Sequence, residues 1–305
     1  MTQAGTSVVA RVIRLYADVA TVQFDGQTVQ SPIRGKLFRA EPPAVGDRVR
    51  LEKRGSQYVI VEVLPRKSVL ARRKPGTAGA RQVLIANIDQ VIVVFAAARP
   101  DPVPGMLDRF LVVAEANGLP AHIVVNKMDL VDRKAVEPVF EPYRRAGYPL
   151  HFTSVYTGEG LEELRHVLQG KESVFVGPSG VGKSSLLNAL FPGLNLKVGQ
   201  VSQAYGKGRH TTVGGQLIQL PGGVTVADTA GLREVGLWMV PPQELPECFP
   251  EFRPFLGQCR FNDCAHIAEP GCAVREAVER GHIAPSRYES YVRLRAEAEQ
   301  TFPRW

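Results

Sequence analysis

Cysteine is scarce in this 305-residue chain: there are four, all within residues 248–272. That excludes a disulfide scaffold. Long hydrophobic runs are missing too. The longest, Val91 to Ala98, falls far short of the roughly 18 residues a membrane span needs. No basic-then-apolar leader opens the sequence, so a cytoplasmic location without a membrane partner is expected. Glycine and proline, 29 and 23 residues, stay below the share that marks disordered chains. What remains is ordinary: 44% hydrophobic and 22% charged residues, enough length for a buried core and about two domains.

The net charge of +7 is unevenly spread. Residues 1–82 carry a balance of +9, residues 83–240 are neutral, and residues 241–305 carry −2. The excess sits on one arm of an otherwise neutral chain, which suits a polyanionic partner.

The pattern predicts a multidomain α/β protein. Over residues 1–68, short alternating segments (Val8 to Leu15, Ala20 to Phe24, Val49 to Glu52, Tyr58 to Leu64) broken by Asp25-Gly26, Pro42-Pro43 and Gly46-Asp47 suggest a small β-barrel. An OB-fold is the first choice, an SH3-like barrel or a meander the others. Residues 66–82 (RKSVLARRKPGTAGARQ) read as an aperiodic basic linker, assigned here to 69–82. From 83 to 238, buried-strand runs alternate with helical segments, as in a parallel sheet covered by helices. Residues 239–305 form a third, smaller unit with a helix after Ser286, where Ser286 and Glu289 have capping-box spacing.

GPSGVGKS at 177–184 follows the run SVFV and opens the helix-like SSLLNAL. This is the phosphate-loop pattern in its confirming context. Gly177, Gly180 and Gly182 let successive backbone N–H groups turn inward, and with the helix N-terminus they cradle a triphosphate. Lys183 would neutralise the β and γ phosphates, and Ser184 would ligate Mg²⁺. Pro178, Ser179, Val181 and Ser185 complete the lining.

NKMD at 126–129 ends the apolar run HIVV. The Asp129 carboxylate can accept from N1–H and the exocyclic amine of guanine, and adenine offers neither donor there; a buried unpaired carboxylate would then reject ATP. Asn126 would brace neighbouring loops and the Lys127 stem would lie along the base, with Met128 between them. TSV at 153–155 offers a second loop, in which Ser154 and Val155 would border the base and a backbone N–H would reach O6.

DTAG at 228–231 follows VTVA, and GKGRHTT spans 206–212. Asp228 would hold Mg²⁺ through water, the Gly231 N–H would sense the γ-phosphate, and Thr211 or Thr212 would supply the second hydroxyl to the metal. The residue after DTAG is Leu232, which cannot orient an attacking water as glutamine does elsewhere. Slow intrinsic hydrolysis is therefore expected. The catalytic candidates are Lys183, Thr212 and His210; Arg209 is second to His210 for the missing group, and an exposed loop imidazole is the plain alternative for His210.

These motifs come in an unusual order, with the base-reading loops ahead of the phosphate loop and DTAG. The set is complete but circularly permuted, which is tolerable when the original termini lie close together at the surface. It makes DTAG lead into residues 240–305, which nucleotide state would then move as a body. Permuted NKMD, GPSGVGKS and DTAG, joined to a basic barrel and a Cys/His cluster, resemble the bacterial small ribosomal subunit biogenesis GTPase A family over essentially the full length. The resemblance implies GTP hydrolysis stimulated by the small (30S) subunit, an OB-fold on its 16S rRNA, and a role late in that subunit's maturation. A monomer is expected.

Cys259, Cys264, His266 and Cys272 are spaced C-x4-C-x-H-x5-C. Three thiolates and an imidazole make a closed tetrahedral set for one structural zinc, and the resemblance implies the same four ligands. Cys248 is left over as a buried or half-exposed thiol; if ligand exchange brought it in, His266 would leave. His122, His151 and His282 have packing or solvent roles. Arg11, Arg14, Arg34, Lys36, Arg39, Arg48, Arg50, Lys53 and Arg54 on the barrel, with Arg66, Lys67, Arg72, Arg73, Lys74 and Arg81 after it, suit backbone-tracking RNA contact, with few aromatics for base stacking. The competing function, favoured by Leu232, is a GTP-sensing RNA-binding module with little turnover.

Overall fold

A computed structural model describes residues 7–16, 19–33, 42–73, 81–194, 215–220, 224–229 and 240–302. Five strands open the chain: β1 (Ser7–Tyr16), β2 (Val19–Phe24), β3 (Gln27–Pro32), β4 (Arg48–Arg54) and β5 (Gln57–Val63). β1 pairs antiparallel with both β2 and β4, β2 with β3, and β4 with β5. A parallel bridge from Ile33, just past β3, to Ile60 on β5 brings the circuit round. This is an OB-like barrel. Alternation puts Ala10, Val12, Ala20, Val22, Val49 and Leu51 in its core, as the two-residue strand period requires. Asp25 and Gly26 both take positive φ (46° and 72°), the two-residue hairpin turn that matches strand twist.

The stretch expected to be a linker is largely a hairpin. β6 (Val69–Arg73) and β7 (Arg81–Ala86) pair antiparallel from Val69 opposite Ala86 to Arg73 opposite Arg81. Its apolar ends, Leu70 and Ile85, are buried in the core of the following unit. The run of basic residues hides that short apolar pattern in the sequence.

Six further strands form the central sheet: β8 (Gln90–Ala96), β9 (Ala121–Asn126), β10 (Leu150–Phe152), β11 (Glu172–Val176), β12 (Gly215–Leu220) and β13 (Val224–Thr229). Their order is β10-β9-β8-β11-β13-β12, with β12 alone antiparallel to its neighbour. Every residue of β8 is buried. Val91, Val93 and Phe95 enter one core, and Ile92, Val94 and Ala96 enter the other, so both sheet faces are covered. The covering helices are α1 (Pro104–Ala116), α2 (Arg133–Arg145), α3 (Leu161–Leu168) and α4 (Lys183–Leu190). The sheet does not stop at β12. β1 of the barrel pairs antiparallel with it, Arg14 opposite Gln216, giving one 11-stranded sheet.

The C-terminal unit contains α5 (Ala273–Glu279) and α6 (Pro285–Thr301). The expected capping box is not used. α6 starts at Pro285 after Ala284, with no side-chain cap, because proline, with helical φ already set, begins the helix one residue before Ser286 and leaves Ala284, which has no side-chain acceptor, at the cap position. Leu245, Phe249, Phe252, Tyr291 and Leu294 share one core with Val112 of α1. The Arg287 guanidinium is buried between Asp108 of α1 and Glu251. Arg253 pairs with Glu115 and Arg109 with Glu297. These contacts fasten the unit to α1, where the sequence suggested a body carried by the DTAG segment. Among the described residues, no helix is long and apolar enough to cross a membrane.

Candidate nucleotide and metal sites

β9, β10, β11 and β13 are parallel, so their C-terminal ends share one sheet edge, where open α/β folds bind ligands. Asn126 ends β9, Phe152 ends β10, Val176 ends β11, and Asp228 lies at the end of β13 with its backbone opposite Gln216. His210, Thr211, Thr212, Gly231 and Leu232, with Arg209, lie outside the described residues.

The phosphate loop follows β11 directly. Gly177 takes φ 136°, and a Cβ there would run into the Val94 carbonyl of β8; only glycine lets the chain pass this strand so closely. Gly182, at φ 93°, precedes α4, and a Cβ on it would lie 2.6 Å from Asn126 Nδ2. That close approach is used. Asn126 Nδ2 donates to the Val181 carbonyl at 2.9 Å, and Thr153 Oγ1 donates to Asn126 Oδ1 at 3.2 Å. One buried amide thus joins the phosphate loop to both loops at the base end. The Lys183 ammonium donates to the carbonyls of Gly177 (2.8 Å) and Pro178 (2.7 Å), which holds it within the loop. Ser184, in the first turn of α4, is buried, as is Val181.

At the base end, Lys127 adopts left-handed φ 64°, and its Nζ donates to the carbonyls of Arg99 and Gly180. Met128 is buried in the short 3₁₀ turn Met128–Leu130 that presents Asp129. Ser154 Oγ donates to Asp129 Oδ1 at 2.5 Å and accepts from the Thr157 N–H at 3.1 Å. The Met128 N–H donates to the Thr153 carbonyl at 3.1 Å, and Val155 packs on the core beneath. Thr153, whose hydroxyl completes the Asn126 bridge, was not among the expected contacts; as the first residue of TSV it was within reach.

The four zinc candidates come together. The ligand atoms of Cys259, Cys264, His266 and Cys272 all lie within 4.8 Å of one another. Cys259 Sγ and Cys272 Sγ are 3.9 Å apart, and each is 3.5 Å from His266 Nδ1. A tetrahedral zinc with Zn–S near 2.3 Å spaces its sulfurs by about 3.8 Å, so the group can hold one structural zinc. Burial lowers the His266 pKa, favouring the neutral imidazole that ligates metal. Glu269, which sequence reasoning missed, organises this loop. Its carboxylate accepts from the N–H groups of Ala265 (2.8 Å), Ile267 (3.0 Å) and Ala268 (3.0 Å). Burial opposes its charge, but these bonds outweigh that and hold its pKa at about 2. Tyr288 and Tyr291 donate to the carbonyls of His266 (2.8 Å) and Ala265 (2.7 Å). Cys248 stands apart, buried in the C-terminal core, its thiol pKa pushed up to about 12 by burial. His122 and His151 stack, with Nδ1 to Nε2 at 3.1 Å, and His151 Nδ1 lies 3.2 Å from Glu163.

On the barrel, several cations already have partners: Arg11 with Glu172, Arg50 with Glu62, Arg54 with Glu52, and Arg66 with the fully buried Asp47. The basic excess is therefore partly structural.

The RsgA GTPase family model matches residues 63–238. The chain belongs to the RsgA GTPase family. A Gemmatimonas aurantiaca protein named small ribosomal subunit biogenesis GTPase RsgA is 54% identical over 304 residues, covering 97% of this chain and 98% of that one. A Pseudomonas aeruginosa RsgA of the same name is 42% identical over 287 residues, covering 92% of this chain and 84% of that one. Among solved structures, YjeQ from Thermotoga maritima superposes with a TM-score of 0.78 at 38% identity, covering 98% of this chain and 100% of that one. YloQ, described as a circularly permuted GTPase, gives 0.73 at 30% identity and covers 100% of both chains. RsgA proteins are GTP hydrolases, and the permuted motif order agrees with that sheet arrangement.

Proposed function

We propose that this chain hydrolyses GTP, stimulated by the small (30S) ribosomal subunit, and acts in that subunit's late maturation. One observation carries the reading: Asn126 ties the phosphate loop to both base-end loops at one sheet edge, in a chain of the RsgA family. The amides of 177–182 and Lys183 cradle the phosphates, Asp129 and the backbone beside Val155 read guanine, and Ser185 and Thr211 lie beside the phosphates. Ser184 and Thr212 would hold Mg²⁺, with Asp228 through water, and the ion would offset charge on the phosphates. Gly231 senses the γ-phosphate, and His210 supplies the water-orienting group that Leu232 lacks. The barrel, 1–68, meets 16S rRNA; the hairpin strands from Val69 onward pack with the nucleotide unit, 83–238, and the zinc unit is 239–305. The protein acts as a cytoplasmic monomer.

Single-turnover GTP hydrolysis with and without small subunits tests this. Stimulation by the subunit, lost in His210→Ala, is expected. Unstimulated hydrolysis would sink the reading and leave a GTP-sensing RNA-binding module.

A further inference from the structure

A cavity of about 560 Å³ lies at the seam between the barrel and the central sheet. Arg11, Arg48 and Lys67 line it against Asn87, Asp89 and Glu172. Most of this wall is already committed. Both Glu172 carboxylate oxygens pair with the Arg11 guanidinium, and Asp89 Oδ2 accepts from the Glu172 N–H at 2.8 Å. Asn87 accepts from the Lys67 N–H at 2.8 Å and donates to the Gly46 carbonyl at 3.0 Å.

With both acids satisfied, cationic donors are left over. Arg48 and Lys67 are exposed, and among the described residues their side chains enter no ion pair. They follow Asp47 and Arg66, whose buried pair fixes the two chain segments side by side. A guanidinium and an ammonium at one cavity match the oxygens of a phosphate group.

Resting on the reading that this chain binds the small subunit, we propose that the seam cavity seats a phosphodiester of bound ribosomal RNA, gripped by Arg48 and Lys67 beside the Arg11–Glu172 pair. The contact reads backbone, not base, because among the described residues no aromatic lines the cavity. It also places RNA beside Glu172, the first residue of the strand that leads into the phosphate loop.

The test is a salt titration of binding to purified small subunits, using the full chain, Arg48→Gln, Lys67→Gln and the double variant. Each phosphate contact contributes about 0.7–0.9 to the slope of log affinity against log salt. The double variant should lose about 0.7–0.9 of that slope and each single variant a part of it, with GTP affinity unchanged. Lys134→Gln on α2, removing one exposed charge elsewhere, should leave the slope unaltered. Unchanged slopes in the seam variants, or an equal fall in Lys134→Gln, overturn the assignment while subunit binding by the wild type upholds the parent reading. A wild type that does not bind subunits overturns both. Thermal stabilisation of the wild type, but not the double variant, by millimolar inorganic phosphate would give the cavity to a free anion and overturn the RNA assignment.

Discussion

Asn126 Nδ2 and the Val181 carbonyl, 55 residues apart in the chain, are hydrogen-bonded at 2.9 Å, so one side chain sets the distance between the loop that faces the base and the loop that faces the phosphates. Asn126→Ala would leave the Val181 carbonyl and the Thr153 hydroxyl unpaired, at about 1–3 kcal/mol. Calorimetry should show GDP affinity falling about 5- to 150-fold; an unchanged affinity would mean the bridge is dispensable.

Asp129 is oriented by Ser154 through a 2.5 Å bond. Asp129→Asn replaces an acceptor with a donor opposite the guanine amine. The variant should bind xanthosine diphosphate, which has a carbonyl in place of that amine, better than GDP. Competition binding measures the order, and retained GDP preference would count against Asp129 as the base reader.

Arg287 is buried between Asp108 and Glu251, with side-chain exposures of 2%, 2% and 8%, and stacks over Phe249 at 4.7 Å. Arg287→Met would strand two carboxylates in the interior, a loss of about 3–5 kcal/mol. Urea unfolding reads the loss, and earlier proteolysis of 240–302 than of the central sheet should accompany it.

His122 has its pKa lowered to about 4 by burial, then by His151 and Lys171. The folded state resists protonation that the unfolded chain accepts near 6.5. Stability should therefore fall as pH drops from about 6.5 to 4 and gain no further penalty from this group below that. His122→Asn should flatten that part of the profile relative to wild type in urea midpoints taken across the range. Parallel profiles would remove His122 from the account.

Zinc content separates the cysteines. Cys259→Ser should lose the metal, because one of four converging ligand atoms is replaced by a weak one. Cys248→Ser should keep it, since Cys248 lies outside that group. Elemental analysis of the purified variants decides, and equal loss from both would redraw the ligand set.

What the sequence made legible follows from the physics of each signal. α4 was read within one residue of where it occurs, 183–190, because the glycines of the phosphate loop mark its start and the apolar residues of SSLLNAL mark its length. β8 was plain because both its faces are buried. β3 was missed: QTVQSP buries only Ser31, so no apolar alternation betrays it. Proline at 285 overrode the capping signal one residue on. Pairs such as Arg287 with Asp108, 179 residues apart, and Arg11 with Glu172, 161 apart, leave no trace in local pattern. A lone arginine looks the same whether it meets a carboxylate or water. The zinc ligands were legible from their types, whereas Glu269, which shapes their loop, carries no such chemical mark.

The pairing of β1 with β12 changes what a truncation can be asked. β12 is the last strand of the central sheet on its side, and without the barrel its outer row of N–H and C=O groups would have no strand beside it. Such an edge recruits strands from other molecules. Excising residues 1–82 to isolate the nucleotide unit would thus expose a sticky border as well as remove a basic surface. Loss of subunit binding by that fragment would then be confounded with self-association, so point changes at exposed charges dissect the barrel more cleanly than its removal.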